Sequence, residues 1–358
     1  MSVSKTLLKN LSECFGPTGC EGAVAALIKT ELKAFGIEVT EDTMGNLTAH
    51  VKGAENAPRI MLSAHMDEVG FMVTEIYEDG FLRFSPLGGI SPTVLVGRPV
   101  LVGDERTQIA GTVCAKGIHF QDAKERKKMP RLSEMYIDIG ATCKEEAEAM
   151  VELGAYGTFC TPFATFGKDG AYVSGKALDD RAGCAVLIEL LREVKEASLP
   201  LDLYVCFTVR EEIGLSGATV TANRIAPDVA VVLEATAMAD LPTVPENRRV
   251  ANVGKGGVLS LLDRSTIYDR ELIRLALAVG EAQGIPVQVK RLVSGGNDAG
   301  NIQRTGTGVR CMALSLPTRY LHAPVTVALY EDLVSMKKLL LAFLSALAEK
   351  EGTVCTKH

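Results

Sequence analysis

Two adjacent glutamates, Glu211 and Glu212, follow directly on the apolar run L-Y-V-C-F-T-V-R that begins at Leu203. Other ionisable side chains stand at comparable places. His65 and Asp67 lie in S-A-H-M-D-E-V-G, Asp179 and Asp180 in K-A-L-D-D-R-A-G-C, and Glu234 follows D-V-A-V-V-L. His322 comes after V-R-C-M-A-L-S-L and P-T-R-Y-L, so two of the chain's 5 histidines fall at the end of an apolar run. Taken singly, each has an ordinary reading. A histidine at a strand end is commonly hydrogen-bonded scaffolding, Asp180 can cap a helix, and Glu234 can be a loop acid. Taken together, two imidazoles and at least four carboxylates at one edge of a sheet need a counter-charge, since carboxylates that close cannot all ionise unless cations hold them.

Imidazole and carboxylate without thiolate suit Zn, Co or Mn. Five ligands are too many for one tetrahedral ion that keeps a water, and they suit two ions about 3.5–4 Å apart sharing a carboxylate. The expected division puts His65 and Glu234 on one ion, Glu212 and His322 on the other, and Asp179 between them. Glu211 is then the base that takes a proton from the water shared by the ions. Neighbouring residues point in different directions, which lets adjacent glutamates hold separate jobs. Residues i and i+2 of an extended segment face the same way, so Asp67 is placed to accept from the second nitrogen of His65 and fix its tautomer. Competing motifs fall short. G-A-Y-V-S-G-K-A, from Gly170, follows a phosphate-binding loop until Ala177 replaces the hydroxyl residue. G-L-S-G-A lacks the second spacer of a nucleophile elbow, and H-E-x-x-H is absent.

The elements that must position these residues read as an α/β sheet. Runs at 59–64, 203–209 and 228–233, with a further one at 309–316, are short and nearly continuously apolar, as in strands buried on both faces. Helical periodicity predicts helices over 180–196, where Val186, Leu187, Leu190, Leu191 and Val194 share a stripe, over 269–283 and over 327–349. Between about 69 and 162 the texture changes to closely spaced β-like pieces (F-M-V-T-E-I-Y, F-L-R-F, V-L-V, G-T-V-C-A, M-Y-I-D-I) and one helix at 144–153. Such spacing predicts a small sandwich or barrel. The expected organisation is a discontinuous catalytic domain, 1–68 and 163–358, interrupted by a β-rich insert, 69–162. In open α/β sheets ligands bind outside the carboxyl ends of the strands, where the acids and histidines are expected to gather.

Bulk properties agree with a two-domain globular chain. Of the 358 residues 47% are hydrophobic and 23% charged, with a formal charge of −6, which leaves no footprint for nucleic acid. The basic run A-K-E-R-K-K-M-P-R has no aromatic residue and reads as a solvated loop. Nine cysteines form no C-x-x-C pair, and several sit in apolar runs, which points to a reducing compartment. The first residues, M-S-V-S-K-T-L-L-K-N-L-S-E, lack the apolar stretch of a signal peptide, and no segment reaches the length of a membrane span. A cytoplasmic protein is expected, with no nucleic-acid or membrane partner.

H-M-D-E-V-G, A-L-D-D-R-A-G, E-E-I-G-L-S-G-A and R-Y-L-H-A-P together resemble the glutamyl and tetrahedral aminopeptidases, metallopeptidase family forty-two, in order and over nearly the whole chain. The resemblance implies a phosphorylase/hydrolase-like mixed sheet flanked by helices, with a β-rich inserted domain. It implies a two-metal exopeptidase acting on short peptides with a free N-terminus, with His65, Asp179, Glu212, Glu234 and His322 as ligands, Asp67 as orienting acid and Glu211 as general base. It further implies homo-oligomers built from dimers, up to tetrahedral dodecamers, with the insert at an interface. Two departures stand out. L-E-A-T puts Glu234 where the family commonly has Asp in D-V-T, and S-G-G-N-D-A-G puts Asn297 where Thr is frequent. Alternatives are another two-metal amidohydrolase, such as an N-deacylase or carboxypeptidase, a glycoside hydrolase working through paired carboxylates, and an idle oligomeric scaffold.

Overall fold

The computed structural model describes residues 2–195 and 200–355. The last residue of the helix expected over 180–196, and the extreme ends of the expected domain range, lie outside them. An 11-stranded mixed sheet runs through the larger part of the described chain. Its centre is four parallel strands in the order Asp202–Thr208, Arg59–His65, Val229–Ala237 and Arg310–Arg319. Antiparallel strands Val39–Glu41 and Leu47–Val51 extend one side; Thr326–Leu329, Tyr172–Gly175 and Ala164–Phe166 extend the other. Two short strands, Gly257–Leu259 and Val287–Val289, branch from the Arg310–Arg319 strand.

The central strands are buried over most of their length; Arg59–His65 exposes only its first residue. Such strands need cover on both faces. Helix Leu178–Val194 lies against the Arg59 and Val229 strands together with Lys5–Glu13 and Gly22–Lys33, while Ser216–Ile225 packs on the Asp202 and Arg59 strands. Helices Arg270–Gln283 and Tyr330–Cys355 cover the Arg310–Arg319 strand. One continuous apolar cluster joins these layers, including Val186, Leu187, Leu190, Leu191 and Val194.

A second apolar cluster belongs to a closed six-stranded barrel, whose strands run around the wall as Gly70–Ile76, Leu82–Leu87, Met135–Asp138, Gln108–Ala115, Pro99–Gly103 and Tyr156–Phe159. Phe71 meets Phe84 and Phe159 edge to face at its centre. Closure removes the open edges that short strands otherwise expose. The basic run at 123–131 is almost wholly exposed on a loop of this barrel.

Several element boundaries differ from the sequence reading. The Val229 strand does not stop before Glu234; it runs to Ala237, because Ala235, Thr236 and Ala237 continue the ladder with Leu316, Pro317 and Thr318. The last helix begins at Tyr330 and not at 327, since Val327 and Ala328 pair with Ser174 and Val173. The segment that mimics a phosphate loop is largely that partner strand, Tyr172–Gly175. The barrel helix is Lys144–Met150, shorter than 144–153, because Val151 is already extended and Gly154 turns at φ +87° into the next strand. No helix among the described residues is long and apolar enough to cross a membrane.

Candidate metal centre

Parallel register brings the strand ends to one level. His65 pairs with Thr208, and Val232 pairs with Ser63, so Glu234, two residues on, lies level with His65 across the crevice where these strands part. Asp179 comes from the start of helix Leu178–Val194, where Asp179 and Asp180 are joined by a cis peptide bond and have non-helical backbone angles. Asp180 caps the turn that follows, its Oδ1 accepting from the Gly183 amide at 3.0 Å. The bland reading of Asp180 as a capping acid therefore describes its contacts.

The expected ligands gather in two groups that share Asp179. His65 Nε2 lies 3.2 Å from Asp179 Oδ1 and 3.4 Å from Glu234 Oε1. His322 Nε2 lies 3.3 Å from Asp179 Oδ2 and 3.3 Å from Glu212 Oε1. In each trio, ligand atoms lie within 4.8 Å of one another, as do those of His65, Glu211 and Glu212. Glu234 bends back on its own backbone, with Oε1 accepting from the Ala235 amide at 3.1 Å, while its buried Oε2 has no partner among the described residues.

Asp67 does more than the sequence reading assigns it. His65 Nδ1 lies 3.1 Å from the main-chain carbonyl of Asp67 and 3.5 Å from its carboxylate. The carboxylate itself accepts the Glu211 amide at 3.0 Å on Oδ1 and the Glu212 amide at 3.1 Å on Oδ2. The amide before them, Arg210, donates to Glu21 Oε1 at 3.1 Å, and Arg210 has φ +55°. Two buried acids thus pin three successive amides, which fixes the bend that separates the side chains of Glu211 and Glu212.

The electrostatics are those of a cluster short of positive charge. Burial, then the charges of Glu234 and Glu212, hold the Glu211 carboxyl well above the usual range, against the pull of His65. Burial pushes Glu212 up to about 7, with Asp179 adding to it and His322 opposing. Burial and Asp179 do the same to Glu234. Burial works against protonated His322, yet Asp179 and Glu212 raise it to about 9. His65 is likewise held well above its usual value against burial by Glu234, Asp179 and Asp67. Such a cluster is eased by added positive charge, which a divalent cation supplies. Two trios of nitrogen and oxygen donors, a shared carboxylate and an orphaned Glu234 oxygen fit a pair of borderline divalent ions.

Sequence reasoning missed three contributors. Gly88 and Gly89, just beyond barrel strand Leu82–Leu87, reach into the site: Gly89 O accepts from His322 Nδ1 at 2.9 Å. Gly88 has φ +85°, and a Cβ there would stand 3.2 Å from Glu212 Oε2. The P-L-G-G-I glycine pair was the available signal. Lys290 lines the same cavity, of about 580 Å³, beside the acids; no motif marks it.

A parallel-centred sheet, a barrel with its own core and acid–imidazole trios outside the strand ends are a fold and a donor set suited to a metal-dependent hydrolase. The family model described as M42 glutamyl aminopeptidase matches residues 45–339, and the chain belongs to that family of aminopeptidases. It is similar to the TET aminopeptidase of a marine-sediment Thaumarchaeota archaeon, with 36% identity, TM-score 0.92 and 97% of each chain covered. It is similar to the TET1 peptidase of Pyrococcus horikoshii, which can assemble into a tetrahedron or a large octahedral shell (34% identity, TM-score 0.84, covering 96% of this chain and 98% of that one). It is also 33% identical to the lysyl aminopeptidase of Pyrococcus furiosus over 351 residues, 97% of this chain and 98% of the relative.

Proposed function

We propose that the chain is a two-metal aminopeptidase that removes single residues from short peptides with a free N-terminus, Glu211 serving as general base. The observation that carries this reading is Asp179, whose two oxygens face His65 at 3.2 Å and His322 at 3.3 Å, so that one carboxylate joins two half-sites. His65 and Glu234 would hold one ion, Glu212 and His322 the other, and Asp179 both; Zn or Co suits the donors, and Mn is tolerated. Ions held there would supply Lewis acidity for the scissile carbonyl and for a water near neutral pH.

The chain's own residues do the rest. Glu211 takes a proton from the attacking water and returns it to the leaving amine, a role supported by its place within 4.8 Å of ligand atoms of His65 and Glu212. Asp67 keeps Glu211 and Glu212 apart by holding both amides. A carboxylate of the cluster meets the substrate α-ammonium. Residues 69–162 are a separate assembly unit on a catalytic domain made of 1–68 and 163–358. The working form is a cytoplasmic homo-oligomer built from dimers, with a tetrahedral dodecamer its full form. Support comes from the eight described cysteines, all free, and from the assembly of the Pyrococcus horikoshii relative.

The test compares Glu211→Gln with Glu212→Gln by metal content and kcat on aminoacyl anilides. Glu211→Gln keeps two equivalents of metal and loses roughly 10²–10⁴-fold in kcat; Glu212→Gln sheds metal. The reverse pattern exchanges the two roles. Cleavage of an N-acetylated anilide as fast as the free-amine form would favour an amidohydrolase of another kind.

A further inference from the structure

Glu211 and Glu212 sit near the middle of a bend, 208–215, between strand Asp202–Thr208 and helix Ser216–Ile225. The bend is strained. Arg210, Gly214 and Leu215 have φ +55°, +85° and +56°, and a left-handed angle at a leucine persists only where its surroundings hold it. Glu21 and Asp67 hold the first half, through the amides of Arg210, Glu211 and Glu212. The second half, where Gly214 and Leu215 line the cavity, lies beyond those bonds.

That half is held from another part of the chain. Asn301, in the short helix Ala299–Ile302, donates through Nδ2 to Gly214 O and Leu215 O, each at 3.2 Å, and to Thr219 Oγ1 at 3.0 Å. Two of these three partners are carbonyls, which only accept, so the amide nitrogen and not the amide oxygen must face them. Three residues earlier, Asp298 Oδ2 accepts at 2.7 Å from the hydroxyl of Thr208, where the bend begins. The Asn301 amide donates to Asp298 O at 3.1 Å, so one turn of chain grips both ends of the segment that carries the two glutamates. Asn297, just before that turn, lines the same cavity and is itself fixed, its Nδ2 donating to the Tyr268 hydroxyl at 3.0 Å.

We propose that Asn301 is a positioning residue for Glu211, holding the far end of the bend so that the carboxyl stays beside His65 and Glu212. The proposal rests on the aminopeptidase reading and deepens it. The hydrogen bonds of the Asn301 side chain go to the bend and to the helix that follows it, so its influence on the chemistry passes through the backbone of 211–215. Asp67 still holds the Glu212 amide when Asn301 is changed. Metal is therefore retained, and proton transfer is the step that suffers.

The experiment compares Asn301→Ala, which removes the donor, with Asn301→Asp, which keeps the size and turns a carboxylate oxygen on two carbonyls. Three quantities are read. They are metal content, kcat and KM on an aminoacyl p-nitroanilide, and amide hydrogen exchange in the metal-free protein. Asn301→Ala keeps wild-type metal and KM and lowers kcat roughly 3- to 10-fold, the size of one net hydrogen bond; Asn301→Asp lowers it further. Exchange over 211–215 quickens in both variants, while exchange in the central strands stays at the wild-type rate and reports that each has folded. Wild-type kcat in both variants overturns the proposal, whatever happens to thermal stability. So does a fall in kcat matched by loss of metal, which would make Asn301 a support of the metal centre and not of the base. Both results leave the aminopeptidase reading intact. A metal-loaded wild type that cleaves no aminoacyl anilide overturns that reading, and the proposal with it.

Discussion

Glu21 is the residue on which the bend at Glu211–Glu212 leans from outside the cluster. It is 7% exposed, and its Oε1 accepts the Gly19 amide at 2.7 Å and the Arg210 amide at 3.1 Å. Burial, with the Asp67 charge adding to it, pushes its pKa to about 7 from 4.5, against three backbone amides that pull it down. Between those values the folded chain holds a proton that the unfolded chain has lost. Stability contributed at this position is therefore whole below about 4.5, falls as pH rises through the window, and levels off above about 7. The shift corresponds to roughly 3 kcal/mol. Glu21→Gln keeps an acceptor for both amides and has no proton to lose. Urea denaturation of both proteins at pH 4.5 and pH 8 should show the variant gaining on the wild type by that order. A gap that stays constant would mean Glu21 is ionised in the folded chain.

At the level of elements, the segment joining the barrel to the site carries its own prediction. Gly88 takes φ +85°, and a Cβ there would stand 2.8 Å from Val69 and 3.2 Å from Glu212 Oε2. Gly88→Ala then costs about 1–2 kcal/mol in backbone conformation alone and pushes on Glu212, so on the two-metal proposal bound metal should fall. At Gly89 the nearest atom would be His322 Nδ1 at an ordinary 3.5 Å, so Gly89→Ala should hold metal better. Equal metal in both variants would detach this segment from the site. The contrast shows what the sequence makes legible. His65, Glu211 and Glu212 announce themselves because each ends an apolar run that must be a buried strand, and parallel strands align their ends. Glu234 keeps the right level although its strand runs three residues further. Short strands such as Gly257–Leu259 and Val287–Val289 are built by pairing with each other and with Arg310–Arg319, so neither they nor Lys290 leave a periodic trace. The reach of Gly88 and Gly89 depends on how the barrel docks, which local pattern does not encode.

At the scale of the whole molecule, the barrel has its own closed wall and its own core, separate from the layers around the sheet. Its loop at 117–131 carries exposed Ile118, Phe120 and Met129, apolar surface suited to burial against another copy. Deleting 69–162 and bridging the gap should leave a smaller particle by sedimentation; an unchanged particle would assign assembly to the sheet domain. Yet the barrel is not a passive spacer. The Gly89 carbonyl that orients the His322 ring lies just beyond a barrel strand, whereas His322 follows strand Arg310–Arg319 of the sheet. A displacement of that barrel segment would therefore act on an imidazole that faces Asp179 and Glu212. If neighbouring copies clamp the barrel, they also set that position, and the geometry of the particle becomes a mechanical setting for the affinity of one ion. Dilution that releases free subunits should then loosen the His322 half of the centre before the His65 half.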